Sequence, residues 1–151
     1  MAKGLSATQR TLRELRSQGR LVDVCERWMI NPRHPAGGFR KDLFGFIDLI
    51  VIDPEQGIVA VQSCGQSFKA HLDKILDSEC TETVIEWLKC GGRVELWGWR
   101  KLKVRRGGKA MRWTPRVQEI TLETINNHGI SPGIETGLAQ RPSRPTLGAG
   151  E

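Results

Sequence analysis

The stretch GFIDLIVIDPEQGIVAVQSC, residues 45–64, decides the fold. Two runs of apolar β-formers, residues 43–52 and 58–64, flank the turn-forming segment Asp53-Pro54-Glu55-Gln56-Gly57. Both faces of each run are apolar. That pattern predicts a hairpin in the middle of a sheet, covered on both sides. A turn symmetric about Glu55 sets Ile50 opposite Ala60 and Asp48 opposite Gln62.

Asp48 breaks this ladder, with Phe46, Ile47, Leu49, Ile50, Val51 and Ile52 around it. A buried carboxylate without partners becomes protonated or recruits a cation. A structural explanation is a turn cap or an arginine pair. A functional one is a divalent metal held where the sheet opens to solvent. Gln62 on the same face makes a second polar intrusion beside the first, which favours a site.

Outward from the hairpin, residues 6–18 place Leu12 and Leu15 on one side and Arg10, Arg13 and Arg16 around them, a short helix stopped by Gly19. Residues 21–28 (LVDVCERW) alternate as a strand. Residues 31–41 (NPRHPAGGFRK) are broken by prolines and glycines and predict a loop carrying Arg33, His34, Arg40 and Lys41. Residues 67–76 and 81–89 have helical spacing, and residues 93–99 and 117–122 read as strands. The expected architecture is α/β with a mixed central sheet. From Asn126 onward aromatic residues are absent and Pro132, Pro142 and Pro145 recur, so residues 1–125 are expected to form the domain and 126–151 a flexible tail.

The 151 residues are 38% hydrophobic and 26% charged, a composition suited to one globular domain. No apolar run approaches the roughly 20 residues that span a bilayer, and the first residues lack a signal-peptide core. Cys25, Cys64, Cys80 and Cys90 form no CxxC pair, so reduced thiols and a cytoplasmic location are expected. Residues 93–116 hold nine basic side chains and one acidic one, +8 against +6 for the whole chain. Trp97, Trp99 and Trp113 are interleaved with them, expected as core more than as stacking platforms. Gly107-Gly108 would place the basic residues on a projecting loop. DNA is the expected partner, through Arg100, Lys101, Lys103, Arg105 and Arg106. A solvated hairpin, or one that contacts acidic protein, is the alternative.

Together, VCERW (residues 24–28), RKDLFGFIDL (40–49), the VQS step (61–63), Lys74-Ile75 and WGWRK (97–101) resemble the PD-(D/E)XK nuclease superfamily, which includes restriction endonucleases and Holliday junction resolvases. The chain is similar in particular to small phage-encoded members, which would place it in a host cytoplasm. The resemblance covers roughly residues 5–123 and implies an αβββαβ restriction-endonuclease-like core. It also implies a Mg2+- or Mn2+-dependent endonuclease, a branched DNA substrate and a homodimer.

The superfamily's strand aspartate falls on Asp48, and its (D/E)XK tripeptide falls on Ala60, Val61 and Gln62. Alanine thus replaces the second carboxylate and glutamine the lysine. Glu26 is the first candidate to replace the missing acid, Asp42 the second and Glu14 the third. The resemblance then implies metal ligation by Asp48, Glu26 or Asp42, and the Val61 carbonyl. Gln62 would orient water or phosphate, Arg40, Lys41 and Lys69 would contact DNA, and Ser63 would help position substrate. A DNA-binding protein that has lost cleavage on the same scaffold is the alternative.

Overall fold

The computed structural model describes residues 4–129. The chain runs α1 (Ala7–Ser17), β1 (Leu21–Val24), β2 (Arg27–Ile30), β3 (Gly38–Lys41), β4 (Leu49–Asp53), β5 (Gly57–Cys64), α2 (Phe68–Leu76), α3 (Thr81–Lys89), β6 (Arg93–Lys103), β7 (Met111–Ile120) and α4 (Leu122–His128). A five-stranded mixed sheet has the order β1-β4-β5-β6-β7, and β2 with β3 forms a separate two-stranded sheet. Among the described residues only β5 and β6 are parallel. A parallel pair needs a long crossover, and α2 and α3 supply it.

The central hairpin has the expected register: Ile50 pairs with Ala60 and Leu49 with Val61. Strand alternation then divides the core between two faces. Leu49, Val51, Val59 and Val61 pack with Leu15 of α1, Trp97 and Trp99. Ala60 and Cys64 pack with Phe68, Ile75, Leu76 and Val84 of α2 and α3, and with Ile120. Helix α1 starts on a capping box, in which Ser6 Oγ accepts the Gln9 amide and the Gln9 side chain accepts the Ser6 amide.

Several boundaries differ from the sequence expectation. The strand expected over residues 21–28 is two strands in two sheets, because the Cys25 amide donates to the Asp48 carbonyl at 2.8 Å and the Glu26 amide to the same oxygen at 3.4 Å. Those bonds turn the chain out of the ladder. The loop expected over residues 31–41 ends in a strand: its prolines and Gly37 (φ 74°) make only the turn, closed by the Asn31 amide on Gly37 O at 3.0 Å. Strand β4 starts at Leu49 and not at residue 43, because Phe44 (φ 54°) and Gly45 (φ 79°) take left-handed conformations and residues 43–47 form a tight turn. Strands β6 and β7 are both longer than expected. Helix α4 carries regular structure to His128, past the expected start of the tail at residue 126. The rest of that tail lies outside the described residues.

Among the described residues no helix is long and apolar enough to cross a membrane. All four cysteines are free thiols, and burial pushes the Cys64 thiol up to about 11.

Candidate metal centre and nucleic-acid interface

Asp48 sits one residue before β4 and is 5% exposed. Its amide donates to Val61 O at 2.9 Å, although Val61 is already the register partner of Leu49, so the regular pairing stops at Leu49–Val61, short of the expected Asp48–Gln62 pair; its Oδ2 accepts the Ser63 amide at 2.7 Å. Among the described residues no arginine pairs with it, which leaves the arginine pair without support as a structural explanation.

Two further carboxylates converge on it. Glu26 immediately precedes β2 and Asp42 immediately follows β3. In that hairpin Arg27 pairs with Lys41, so one more step of the same register faces Glu26 with Asp42. Ligand oxygens of Glu26, Asp42 and Asp48 all lie within 4.8 Å of one another. Burial raises the Asp48 carboxyl to about 8, and the charges of Asp42 and Glu26 add to this against the opposing Ser63 amide. Both acids named as replacements for Ala60 are therefore present at once. Glu14, the third, instead accepts from Gln18 on its own helix at 3.2 Å and stands outside the cluster.

Two cations border the acids. Arg40 Nη1 lies 2.7 Å from Glu26 Oε1, and Lys74 Nζ lies 3.5 Å from Asp42 Oδ2. With all three carboxylates ionised, one negative charge stays uncompensated. An all-oxygen donor set of that charge suits a hard divalent cation. Gln62, 2% exposed and next to Val61 on β5, carries a buried Oε1 without a hydrogen-bond partner among the described residues. A cavity of about 440 Å3 opens beside Glu26 and Arg40, lined also by Ser6, Thr8, Gln9 and Val24.

Lys74 was not among the sequence candidates for a catalytic cation. Its signal was available only as a lysine on the helix after the motif strand, since nothing in the spacing points it at Asp42. Lys69 is 85% exposed and pairs with Asp73 on its own helix. Ala60 lies in the apolar core. The Val61 carbonyl gives one lone pair to the Asp48 amide. The Ser63 hydroxyl does not face substrate: it donates to Thr11 Oγ1 at 2.9 Å in the interior. Thr11 Oγ1 also accepts Trp99 Nε1 at 2.8 Å and donates to Ala7 O at 3.0 Å. Ser63 contributes its backbone, which holds the carboxylate.

The basic segment forms a long two-stranded arm. Strands β6 and β7 pair as far as Lys103 with Met111, and Gly107 (φ 78°) sits in the connecting turn. The pairing of β5 with β6 stops at Cys64 and Gly98, so residues 99–103 overhang the sheet end at which Asp48 lies. Arg100, Lys101, Lys103, Arg105 and Arg106 are exposed there. Trp97 and Trp99 are buried, as expected of core residues. Trp113 is covered by cations: Arg10 lies 4.1 Å and Lys101 5.2 Å from its ring centroid.

Compared with protein-family models, with curated proteins and with solved structures, the chain matches none.

Proposed function

We propose that this chain is a divalent-metal-dependent endodeoxyribonuclease that hydrolyses phosphodiester bonds, branched DNA included, with Glu26, Asp42 and Asp48 as ligands for Mg2+ or Mn2+. The observation that carries the reading is the convergence of these three carboxylates within 4.8 Å, one of them buried. The order α1, β1, β4, β5, α2, β6, with the β2–β3 hairpin inserted between β1 and β4, supports a reading as the αβββαβ core that the sequence resemblance implies. The overhanging basic arm supports a polyanionic substrate.

A bound cation would polarise the scissile phosphate and acidify a water. Asp48, fixed by the Ser63 amide, and the two flanking acids hold that position with little reorganisation. Lys74 and Arg40 bring positive charge to the phosphate that Gln62 cannot supply. Gln62 is left to orient water or phosphate with its side-chain amide. The exposed Lys41 and the arm residues bind the flanking backbone. A homodimer belongs to the proposal, since resolving a branched junction takes two cuts.

A second reading is favoured by Ala60 and Gln62 at the tripeptide: a DNA-binding protein without cleavage. Incubating supercoiled plasmid and a four-way junction with Mg2+ or Mn2+ separates the two. Nicking by the wild type, lost in Asp48→Ala with binding intact, supports the nuclease. Intact substrate under every condition, with binding present, leaves the binder.

A further inference from the structure

The β2–β3 hairpin has no packing role that accounts for its side chains. None of its residues belongs to a buried core cluster, and Gly38 is its only buried position. Trp28 is 54% exposed, Met29 37%, Ile30 82% and Phe39 42%. Residues 27–41 also hold Arg27, Arg33, Arg40 and Lys41 and no acidic residue. Four exposed apolar side chains set among four cations, on a two-stranded sheet separate from the main one, need a partner that is both anionic and flat-faced.

The two faces are distinct. Trp28 faces Arg40 in the register, and Met29 faces Phe39. The Trp28 ring lies against Gly38, where a Cβ would come within 2.7 Å of its Nε1. One side of the indole is thus seated on backbone while the other stays open. Arg40, on the same face, bonds Glu26 of the acid cluster. The open indole therefore lies on the same hairpin face as Glu26 and Asp42, two register steps away, with the Arg27–Lys41 pair between.

We infer that the β2–β3 hairpin is a stacking platform for unpaired bases, so that the substrate class is DNA whose bases are unstacked beside the cut: single-stranded or branched. The inference rests on the nuclease reading only for its placement beside the cut. A continuous duplex offers phosphates to the arginines but hides its base faces, which would leave Trp28 and Ile30 in water. An unpaired base provides the missing apolar surface. Aromatic stacking on one base is worth roughly five- to 150-fold in affinity by alanine substitution.

The test is binding at fixed salt with EDTA, so that cleavage plays no part. A single-stranded oligonucleotide, a four-way junction and a duplex of equal length are compared. Trp28→Ala is expected to weaken single-strand and junction binding by about tenfold and duplex binding by less than about twofold. Trp28→Phe should retain most of the affinity. Ile30→Ala, on the same face and 82% exposed, serves as a second variant if Trp28→Ala lowers the melting temperature. Equal losses on all three DNAs, or no loss with either alanine variant, would overturn the platform. So would sedimentation showing that Trp28→Ala dissociates a dimer with single-strand affinity unchanged, because the hairpin's occupant would then be a second copy. A protein that never cuts DNA but shows the selective loss keeps this inference and loses the nuclease. One that cuts but shows no selective loss does the reverse.

Discussion

Asp48 Oδ2 accepts the backbone amide of Ser63 at 2.7 Å across the β4–β5 hairpin. A backbone donor cannot move aside or lose its proton, so the carboxylate keeps its position in either protonation state. Burial, with the charges of its two acidic neighbours adding to it, holds its proton on well above the ordinary carboxylate range. Position is thus fixed while charge is left unsettled. Such a group gains most from a cation.

Asp48→Asn separates stability from activity. Without metal, the folded state holds a proton on Asp48 up to about pH 8 that the unfolded chain releases near pH 4. Wild-type stability is therefore greatest at or below pH 4 as far as this group is concerned, and is lost progressively as pH rises to about 8. Asparagine keeps an acceptor for the Ser63 amide and carries no charge. Urea denaturation in EDTA should show the variant more stable than wild type at pH 8, on the order of a few kcal/mol, with the difference shrinking toward pH 4. Plasmid nicking should fall to background in the same variant.

Divalent metal should reverse that penalty. Adding Mg2+ or Mn2+ at about a hundred times its dissociation constant is expected to raise the wild-type melting temperature at pH 8 by roughly 5–10 °C. EDTA should cancel the rise, and Asp48→Asn or a Glu26→Gln/Asp42→Asn double variant should abolish it. A rise of equal size in the variants would place the metal elsewhere.

Lys74→Met removes the cation beside Asp42 and keeps the length of the stem. Turnover should drop about 100-fold, with KM for a junction substrate changed by less than about threefold. If KM rises while kcat holds, Lys74 is a general phosphate contact and no part of the reacting centre.

Replacing Arg100, Lys101, Lys103, Arg105 and Arg106 by alanine should weaken DNA binding. It should also flatten the plot of log affinity against log salt by about 0.7–0.9 per phosphate contact removed. Filter binding at several salt concentrations measures both. A lower affinity with an unchanged slope would mean the arm folds wrongly or binds protein.

Thr11→Val is a test of the interior. The substitution leaves the Ser63 hydroxyl and Trp99 Nε1 without their common acceptor in a buried place. Chemical denaturation should report a loss of about 2–3 kcal/mol.

The central hairpin and its register were legible because a turn fixes which residues face each other, and period-two apolar patterning fixes the faces. Asp48 was legible as well: a carboxylate in an apolar run needs a reason whatever surrounds it. Glu26 and Asp42 were legible only as single acids. Their meeting depends on the β2–β3 hairpin, whose strand β3 was hidden in a segment rich in proline and glycine. A turn centred near His34 was the one sequence signal that could have set Glu26 opposite Asp42.

Composition and local pattern alone therefore determined an α/β domain, its middle hairpin, its helices expected over residues 6–18, 67–76 and 81–89, and a local excess of positive charge. These follow from interactions between near neighbours in the chain. Tertiary structure decided three things: the break of residues 21–30 into two sheets, the arrival of Lys74 beside Asp42, and the overhang of the arm at the Asp48 end. Each depends on the relative placement of segments far apart in sequence, and burial and strand pairing set that placement only once the whole sheet has formed.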